Sequence, residues 1–440
     1  MDRRSFVSGL LAAPAVAMPA VAAQQYTQRT RGLPGLTISD VRVITISAGT
    51  GYPWVFVKIL TSEPGLYGIG SASNLTQTLA VAAAIEKDLR PFWIGKNADQ
   101  IEDLWQSTNV HSYWRNSTIL NNALSALDMA LWDIKGKRAG MPVYDLLGGK
   151  VREAVPVYAH ADGRDMQEVE ENVRQYMAEG FTHVRAQMGG YGGGGMIPPG
   201  KGSRPVGGFA GAAFDEDVYV DTIPKLFEHL RSTLGPQVKL LHDVHEHLTP
   251  SSALRLAKML EPYHMFFVED ILPPEHIAYF REIRQVCTTP MAMGELFVNP
   301  QEWKPLISDR LIDFIRCRVS QIGGITAARK IAALCEVCGV RTAWQEGGDN
   351  DPVNQLASYH VDMAIPSFGI QEENHFPELV RDLLPGTAQI KGGYLYGTNA
   401  PGLGIDLNES LAAKHPLVLP SVSDQSWTTV RRVDGSLVRP

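Results

Sequence analysis

The sequence predicts an α/β protein, a (β/α)7β-type TIM-like barrel with an α+β N-terminal capping domain that the C-terminal tail completes. Three observations predict this fold. From residue 155 onward, apolar runs with strand character alternate with helical segments, whereas before residue 150 the strands come first and the helices follow. Three acidic residues, Asp243, Glu269 and Glu295, end successive apolar runs at a constant spacing of 26 residues.

The barrel is predicted over residues 155–392. Eight short apolar, β-branched runs have the length of strands, at 155–160, 182–187, 238–243, 265–269, 291–295, 312–319, 341–345 and 368–372. Helical patterns lie between most of them, at 167–179, 217–233, 250–261, 275–286, 301–308, 325–338 and 352–359. One strand, one helix and two loops need roughly 25 residues. The three acids therefore fall at equivalent points on consecutive parallel strands, at the barrel mouth where active sites lie.

The capping domain is predicted over residues 36–150. Strand patterns at 37–60 and 66–72 precede helical patterns at 79–90, 101–105 and 120–138. The segment 393–440 is expected to pack on this domain. A long glycine-rich loop at 188–213 interrupts the barrel, and loops of this length in a compact domain are typical of lids or disordered segments.

Residues 1–23 have the pattern of a twin-arginine signal peptide. Arg3 and Arg4 precede an uncharged run, Val7 to Ala23, that ends in small residues. The run is short, rich in alanine and broken by prolines, so it does not favour a stable membrane anchor. The sequence thus predicts a periplasmic or otherwise exported protein. An uncleaved anchor or a misassigned start codon are the alternatives.

The overall charge excludes one class of partner. The chain has a net charge of −7, without the basic surface typical of nucleic-acid-binding proteins. The three carboxylates, in contrast, would repel one another at the barrel mouth unless a cation lay between them. Carboxylate oxygens are hard ligands that suit Mg²⁺ better than zinc or copper. The sequence therefore predicts an enzyme with Mg²⁺ held by Asp243, Glu269 and Glu295, or else three unrelated acids at strand ends.

Several segments make the chain similar to a known family. With the cap, the barrel and the acid trio, they resemble the enolase superfamily and more narrowly its mannonate dehydratase branch, over residues 37 to 415. The segments are Ala126-Leu-Asp-Met-Ala-Leu-Trp-Asp-Ile-Lys, His242-Asp-Val-His, Gly323-Gly-Ile-Thr, Phe368-Gly-Ile-Gln-Glu and Ala400-Pro-Gly-Leu-Gly. The resemblance implies removal of a proton next to a carboxylate, giving an enediolate that Mg²⁺ stabilises. It also implies a homo-oligomer.

The resemblance assigns catalytic roles to three residues. His245 lies two residues beyond Asp243, so on an extended chain it points to the same side; in the branch this histidine protonates the departing hydroxyl. Arg185 pairs with a tyrosine of the following loop, here Tyr191, to remove the proton, and a guanidinium would lower the pKa of that tyrosine. The alternative for His245 is a buried structural histidine, and the alternative for Tyr191 is a plain lid residue. His247 is expected at a helix start or on the surface.

Six further positions correspond to substrate-binding positions of the branch. His160, Arg316, Asp349 and Glu372 match, although Arg316 could instead pair with a metal-binding carboxylate. Gln345 stands where the branch has a histidine, and glutamine cannot exchange a proton near neutral pH. Asn74 lies one position earlier than the cap asparagine of the branch.

Three functions remain open from the sequence. The first is Mg²⁺-dependent dehydration of an acid sugar, a small aldonate such as mannonate or gluconate, to a 2-keto-3-deoxy acid. The second keeps the enolate chemistry but ends in epimerisation or in loss of a different leaving group. The third is binding of an acid sugar with little turnover, because a fold does not guarantee a reaction. The full metal trio beside Arg185 and His245 favours the first.

Overall fold

A computed structural model describes residues 34–49, 51–111, 113–419 and 430–438. Residues 1–23, where the sequence predicts a signal peptide, lie outside these ranges, so export stays a prediction. The described residues from Thr37 onward belong to one compact unit. In the part of the chain that is described, no helix is both long enough and apolar enough to cross a membrane.

The N-terminal part is a three-stranded antiparallel sheet covered by helices. The strands β1 (Ile38–Ser47), β2 (Pro53–Thr61) and β3 (Tyr67–Ser71) are hydrogen-bonded in that order. The helices that follow are Thr78–Ala83, the π-helical turn Ala84–Leu89, Arg90–Trp93, Ile101–His111, Thr118–Ala139 and Val143–Leu146. Ser117 caps the longest of them by accepting the Leu120 N–H, and Gly140 ends it at φ 68°.

Glycines let β3 lie directly on this long helix. A Cβ atom added at Gly70 would come within 2.0 Å of the carbonyl oxygen of Ala126, and one at Gly68 within 2.1 Å of that of Ala130. Only a residue without a side chain allows two backbones to approach so closely.

Replacing Gly70 by alanine is therefore expected to lower the free energy of unfolding by about 1–3 kcal/mol, because sheet and helix must separate. Urea denaturation followed by circular dichroism measures the change. Gly348→Ala is the control, since its Cβ would meet only Tyr52, at 3.8 Å. Equal stability of both variants would contradict this account of the packing.

The barrel has eight strands and seven intervening helices within the described residues. Its strands are Val155–Gly163, His183–Met188, Lys239–Asp243, Phe267–Glu269, Met291–Met293, Phe314–Ile315, Arg341–Thr342 and Gln371–Glu372. Its helices are Met166–Ala178, Glu216–Leu234, Pro250–Met259, Phe280–Val286, Pro300–Ser308, Gly324–Cys338 and Pro352–Ala364. Neighbouring strands pair in parallel, and the ring closes through a bridge between Thr342 and Phe368 and the pairing of the eighth strand with the first. The predicted fold is confirmed.

Inside the barrel, residues on five of the strands and residues directly beside two others form a buried cluster: Tyr158, Leu241, Phe267, Ala292, Phe314, Ala343 and Ile370. Aromatic and aliphatic side chains fill the barrel axis here, as in other barrels of this size. The sixth and seventh strands end earlier than predicted, at Ile315 and Thr342. Arg316, Arg318 and Gln345 therefore lie beyond the paired parts of these strands.

The C-terminal segment makes contacts in two places. Residues 402–418 reach the N-terminal sheet and helices, where Gly402 accepts the Val143 N–H at 3.0 Å and His415 accepts the Ser47 N–H at 3.2 Å. Residues 430–438 contact the barrel instead, since the Arg431 carbonyl accepts the Phe214 N–H at 2.8 Å. Phe214 belongs to a short hairpin, Met196–Ile197 with Ala213–Phe214, that closes the long loop of the barrel.

Candidate active site

The three predicted metal-binding carboxylates lie at the carboxyl ends of consecutive strands. Asp243 and Glu269 are register partners in the third and fourth strands, and Glu295 follows the fifth strand by two residues. Asp243 and Glu269 are buried, whereas the side chain of Glu295 is 25% exposed. Of these three carboxylates, Glu295 is therefore the one that solvent reaches.

Arg185 lies between two of these carboxylates. Its Nη1 donates to Asp243 Oδ2 and to Glu269 Oε1, each at 3.2 Å, and lies 3.6 Å from Glu372 Oε1. Its Nη2 lies 3.5 Å from the Tyr191 hydroxyl. The structure thus brings together the predicted pair of Arg185 and Tyr191 beside the carboxylates.

Arg316 is fully buried among carboxylates of the protein itself. It contacts Glu295 at 3.0 Å, Glu372 at 3.1 Å and Glu269 at 3.3 Å, and it donates to Asp270 at 2.5 Å. Its Nη2 also donates to the Tyr158 hydroxyl at 3.2 Å. These contacts include the ion pairs with metal-binding carboxylates that the sequence left open as the alternative, and a role of Arg316 in substrate binding stays a prediction.

The carboxylates surround two guanidinium groups and do not converge on one point. Among the described residues, no group of three acidic, histidine or cysteine side chains is close enough to hold a metal ion as it stands. The chemistry of the donor set nevertheless fits Mg²⁺, because Asp243, Glu269 and Glu295 offer only hard oxygen ligands. Binding requires Arg185 and Arg316 to release carboxylate oxygens.

The charge balance also favours a cation. Burial, together with Asp270 and Glu295, raises the pKa of Glu246 to about 10, and burial raises the pKa of Asp270 to about 6 although Arg316 lowers it. Burial likewise raises the pKa of Glu269 well above its ordinary value. Burial is the largest cause of all three shifts, and a divalent cation bound among these carboxylates would lower their pKa values by favouring the ionised forms.

Tyr191 and His245 form one unit at the edge of the carboxylates. Their rings stack with centroids 4.0 Å apart and planes 30° apart. The expectation of an extended chain at His245 is wrong. The third strand ends at Asp243, and His245 and Glu246 adopt φ angles of 52° and 65°, in the left-handed region. Such residues cost about 1–3 kcal/mol each and are concentrated at functional sites.

The pKa of Tyr191 differs from the sequence-based expectation. Burial raises it above its ordinary value, although the nearby Arg185 lowers it, and Asp243 and Glu295 raise it further. The expected net decrease is therefore absent, because burial and two carboxylates outweigh one guanidinium.

His160 and Glu372 lie together at the first and eighth strands. His160 Nε2 is 2.9 Å from Glu372 Oε1. Burial alone would raise the pKa of Glu372, but Arg316 and His160 lower it below its ordinary value. Glu372 is thus an ionised group that orients Arg316 and His160, and only His160 retains a partly exposed side chain.

Gln345 and Asp349 are held by a residue that the sequence interpretation did not single out. Arg318 is buried, donates through Nε to Gln345 Oε1 at 2.7 Å and binds both oxygens of Asp349 through its Nη atoms. The predicted substrate-binding oxygens of these two residues therefore already have a protein partner. The Asp349 side chain stays 19% exposed.

Asn74 closes a turn in the N-terminal part. Its side-chain oxygen accepts the N–H groups of Thr76 and Gln77, and its carbonyl accepts the Thr78 hydroxyl. These contacts prepare the helix that begins at Thr78. No hydrogen bond among the described residues connects Asn74 with the carboxylate cluster, and a role in substrate binding stays a prediction.

Three residues of the site were missed in the sequence: Tyr158, Asp270 and Arg318. Tyr158 donates to Glu269 Oε2 at 3.1 Å, and Asp270 binds Arg316. A signal for Tyr158 existed, since it precedes His160 by two residues on one strand and so points to the same face. Asp270 directly follows Glu269, and its side chain turns inward because its φ is 43°. No sequence pattern predicts this backbone angle.

Comparisons with known proteins agree with this architecture. Residues 37–148 match the N-terminal domain of mandelate racemase and muconate lactonizing enzyme, and residues 168–411 match the family described as enolase C-terminal domain-like. A solved structure, described as an enolase from Pantoea ananatis with bound D-gluconate and Mg, superposes with a TM-score of 0.87 at 48% identity, covering 92% of this chain and 100% of that chain. The fold and the site thus define a member of the enolase superfamily.

Two curated relatives place the chain more narrowly. A D-galactonate dehydratase family member from Paenibacillus sp. (strain JDR-2) is 54% identical over 391 residues, which cover 88% of this chain and 96% of the relative. Another, from Musicola paradisiaca (strain Ech703), is 49% identical over 420 residues, covering 92% of this chain and 99% of the relative. The chain belongs to the D-galactonate dehydratase family, an acid-sugar dehydratase branch of the superfamily. The resemblance noted in the sequence is confirmed.

Proposed function

We propose that this protein dehydrates an aldonate to a 2-keto-3-deoxy acid, with Mg²⁺ as its cofactor. One observation carries the proposal: Tyr191 lies 3.5 Å from Arg185 and stacks at 4.0 Å on His245, beside the carboxylates. The proposed base Tyr191, its cationic partner Arg185 and the proposed acid His245 thus lie side by side. Dehydration needs both groups, one at C2 and one at the hydroxyl of C3.

The first step is removal of the C2 proton by the Tyr191 phenolate. Arg185 contacts the hydroxyl and partly offsets the rise in the pKa of Tyr191 that burial, Asp243 and Glu295 cause, and a cation bound by the carboxylates would offset it further. Asp243, Glu269 and Glu295 would hold Mg²⁺. Bound there, the ion would act as a Lewis acid that stabilises the charge developing on the substrate carboxylate.

The second step is loss of the C3 hydroxyl. Protonated His245 gives its proton to that oxygen, so water departs and an enol forms between C2 and C3. The enol then tautomerises to the 2-keto-3-deoxy acid. The stacked rings keep His245 next to the group that has just removed the C2 proton. Both proton transfers therefore occur on one side of the substrate.

Elimination is favoured over epimerisation by the seventh strand. Epimerisation through an enolate returns the proton from the opposite face and so needs a second acid or base there. In the branch that the sequence resembles, a histidine stands at the end of the seventh strand; here Gln345 takes its place, its side-chain oxygen accepts from Arg318 Nε at 2.7 Å, and an amide does not exchange protons near neutral pH. The acid–base pair on one side is therefore suited to loss of water.

The experiment combines the protein with Mg²⁺ and D-gluconate, D-galactonate, D-mannonate and pentonates in D₂O. NMR is expected to show a 2-keto-3-deoxy product from at least one acid. Removing the metal with EDTA should lower the rate by about 10³-fold, because charge stabilisation at the carboxylate is lost, and added Mg²⁺ should restore it. Deuterium at C2 without product would favour epimerisation. Turnover that EDTA leaves unchanged would contradict the proposal.

A further inference from the structure

A strained turn carries the proposed acid. His245 and Glu246 adopt left-handed backbone conformations, and three hydrogen bonds hold them. The His245 N–H donates to Asp243 Oδ1 at 2.7 Å, the Glu246 N–H donates to the Asp270 carbonyl at 2.7 Å, and His247 Nδ1 bonds the His245 carbonyl at 2.6 Å. The third bond comes from a side chain outside the carboxylate cluster.

His247 lies two residues before the cap, Thr249, of the helix Pro250–Met259, which is one of its two expected places, but it is buried and not a surface residue. It is 3% exposed, and its ring packs against Phe214 with centroids 5.3 Å apart. Because a carbonyl can only accept, Nδ1 must carry the proton. Its Nε2 is buried without a hydrogen-bond partner among the described residues. A histidine in this setting is held in one tautomer with one fixed donor.

The same ring touches the loop that carries the proposed base. Gly192, which follows Tyr191, has a φ of 70°, and a Cβ there would lie 3.2 Å from His247 Cδ2 and 3.3 Å from its Nε2. The loop can therefore close on the imidazole only because residue 192 is a glycine. His247 thus contacts both the backbone of the acid and the segment next to the base.

We propose that His247 is a positioning residue that holds His245 in its left-handed turn through the Nδ1–H donor, and so keeps the acid stacked on Tyr191. The catalytic consequence rests on the proposed dehydration. His247 does not touch the substrate, so its loss should spare removal of the C2 proton and impair protonation of the leaving hydroxyl. The anion formed at C2 then recaptures a solvent proton more often than it loses water.

Three variants test which ring nitrogen of His247 holds the turn at His245. His247→Leu removes both ring nitrogens; His247→Asn keeps a donor at the place of Nδ1, and His247→Gln keeps an amide at the place of Nε2. In D₂O, two quantities are measured in the same sample: the deuterium at C2 of the recovered substrate and the amount of keto-deoxy product. The Leu and Gln variants are expected to lose elimination roughly 100-fold, as for a misplaced catalytic group, with much smaller loss of C2 exchange. The Asn variant should recover most of the elimination.

A second measurement does not depend on activity. Hydrogen–deuterium exchange of the peptide covering residues 244–248 reports the bonds of the His245 and Glu246 amides. In the Leu and Gln variants these amides are expected to exchange about tenfold faster or more, as local opening becomes easier, while the Asn variant and the rest of the chain keep their protection.

The outcomes separate this inference from the proposed function. Unchanged protection in the Leu variant, or equal loss of exchange and elimination in all three variants, would overturn the positioning role. If the unaltered protein neither exchanges nor dehydrates any aldonate, the proposed function fails, and amide protection alone then decides whether His247 holds the turn.

Discussion

Replacing Glu269 by glutamine is expected to lower kcat for dehydration by about 10³-fold and to weaken Mg²⁺ binding, because one charged ligand is lost. Glu269 is fully buried and contacts Arg185 at 3.2 Å and Arg316 at 3.3 Å. The substitution preserves shape but removes the negative charge between the two guanidinium groups. Isothermal titration with Mg²⁺ and the rate of keto-deoxy product formation measure the two effects.

Loss of a buried charge can also destabilise a protein, so stability must be measured beside activity. Removing one partner of a buried ion pair typically costs about 3–5 kcal/mol, and thermal denaturation of the variant reports it. Glu373→Gln is a matched control. Glu373 is also a buried acid at the end of the eighth strand, but its ion-pair partner is the exposed His375, at 2.9 Å. Normal Mg²⁺ affinity and turnover in a folded Glu269→Gln variant would exclude Glu269 as a ligand.

The sequence predicted the positions of site residues correctly where these residues lie on regular β/α repeats. Asp243 and Glu269 were placed at equivalent strand ends from their spacing, and the structure has them as register partners. Parallel strands impose this relation, because each β/α repeat returns the chain to the same barrel mouth. Arg185 and Tyr191 meet because Tyr191 lies at the very start of the long loop that follows the strand carrying Arg185.

The sequence did not predict the orientation of side chains where the backbone departs from regular strand geometry. His245 and Asp270 have positive φ angles just beyond strand ends, so alternation no longer tells where their side chains point. Buried arginines are a second case. Spacing does not reveal that Arg316 is surrounded by four carboxylates or that Arg318 holds Gln345 and Asp349. Such partners are determined by three-dimensional distances between different strands.

The arginines suggest how the site changes when it binds a cation. In the structure, Arg185 and Arg316 occupy carboxylate oxygens that Mg²⁺ would need. A divalent cation would bring two positive charges into the cluster, and a substrate carboxylate would bring one negative charge. Arg185 could then turn from the carboxylates towards Tyr191. Its Nη2 already lies 3.5 Å from the Tyr191 hydroxyl. Metal binding and formation of the base would in this way be coupled through one side chain.

Substitution of the two stacked residues is expected to separate the two proton transfers. Tyr191→Phe should lose both C2 exchange and product, by roughly 10²–10⁴-fold, because the base is absent. His245→Asn should lose product to a similar extent and retain deuterium uptake at C2, since the base and its partner Arg185 remain. NMR of the substrate and product in D₂O measures both quantities in one sample.

The contrast between the variants is the decisive result, because each serves as the control for the other. The two rings touch at 4.0 Å, so a general disturbance of this corner would affect both variants alike. Loss of C2 exchange in the His245→Asn variant together with its retention in Tyr191→Phe would reverse the two roles, with His245 as the base. Equal loss of both signals in both variants would contradict the division of the stacked pair into a base and an acid.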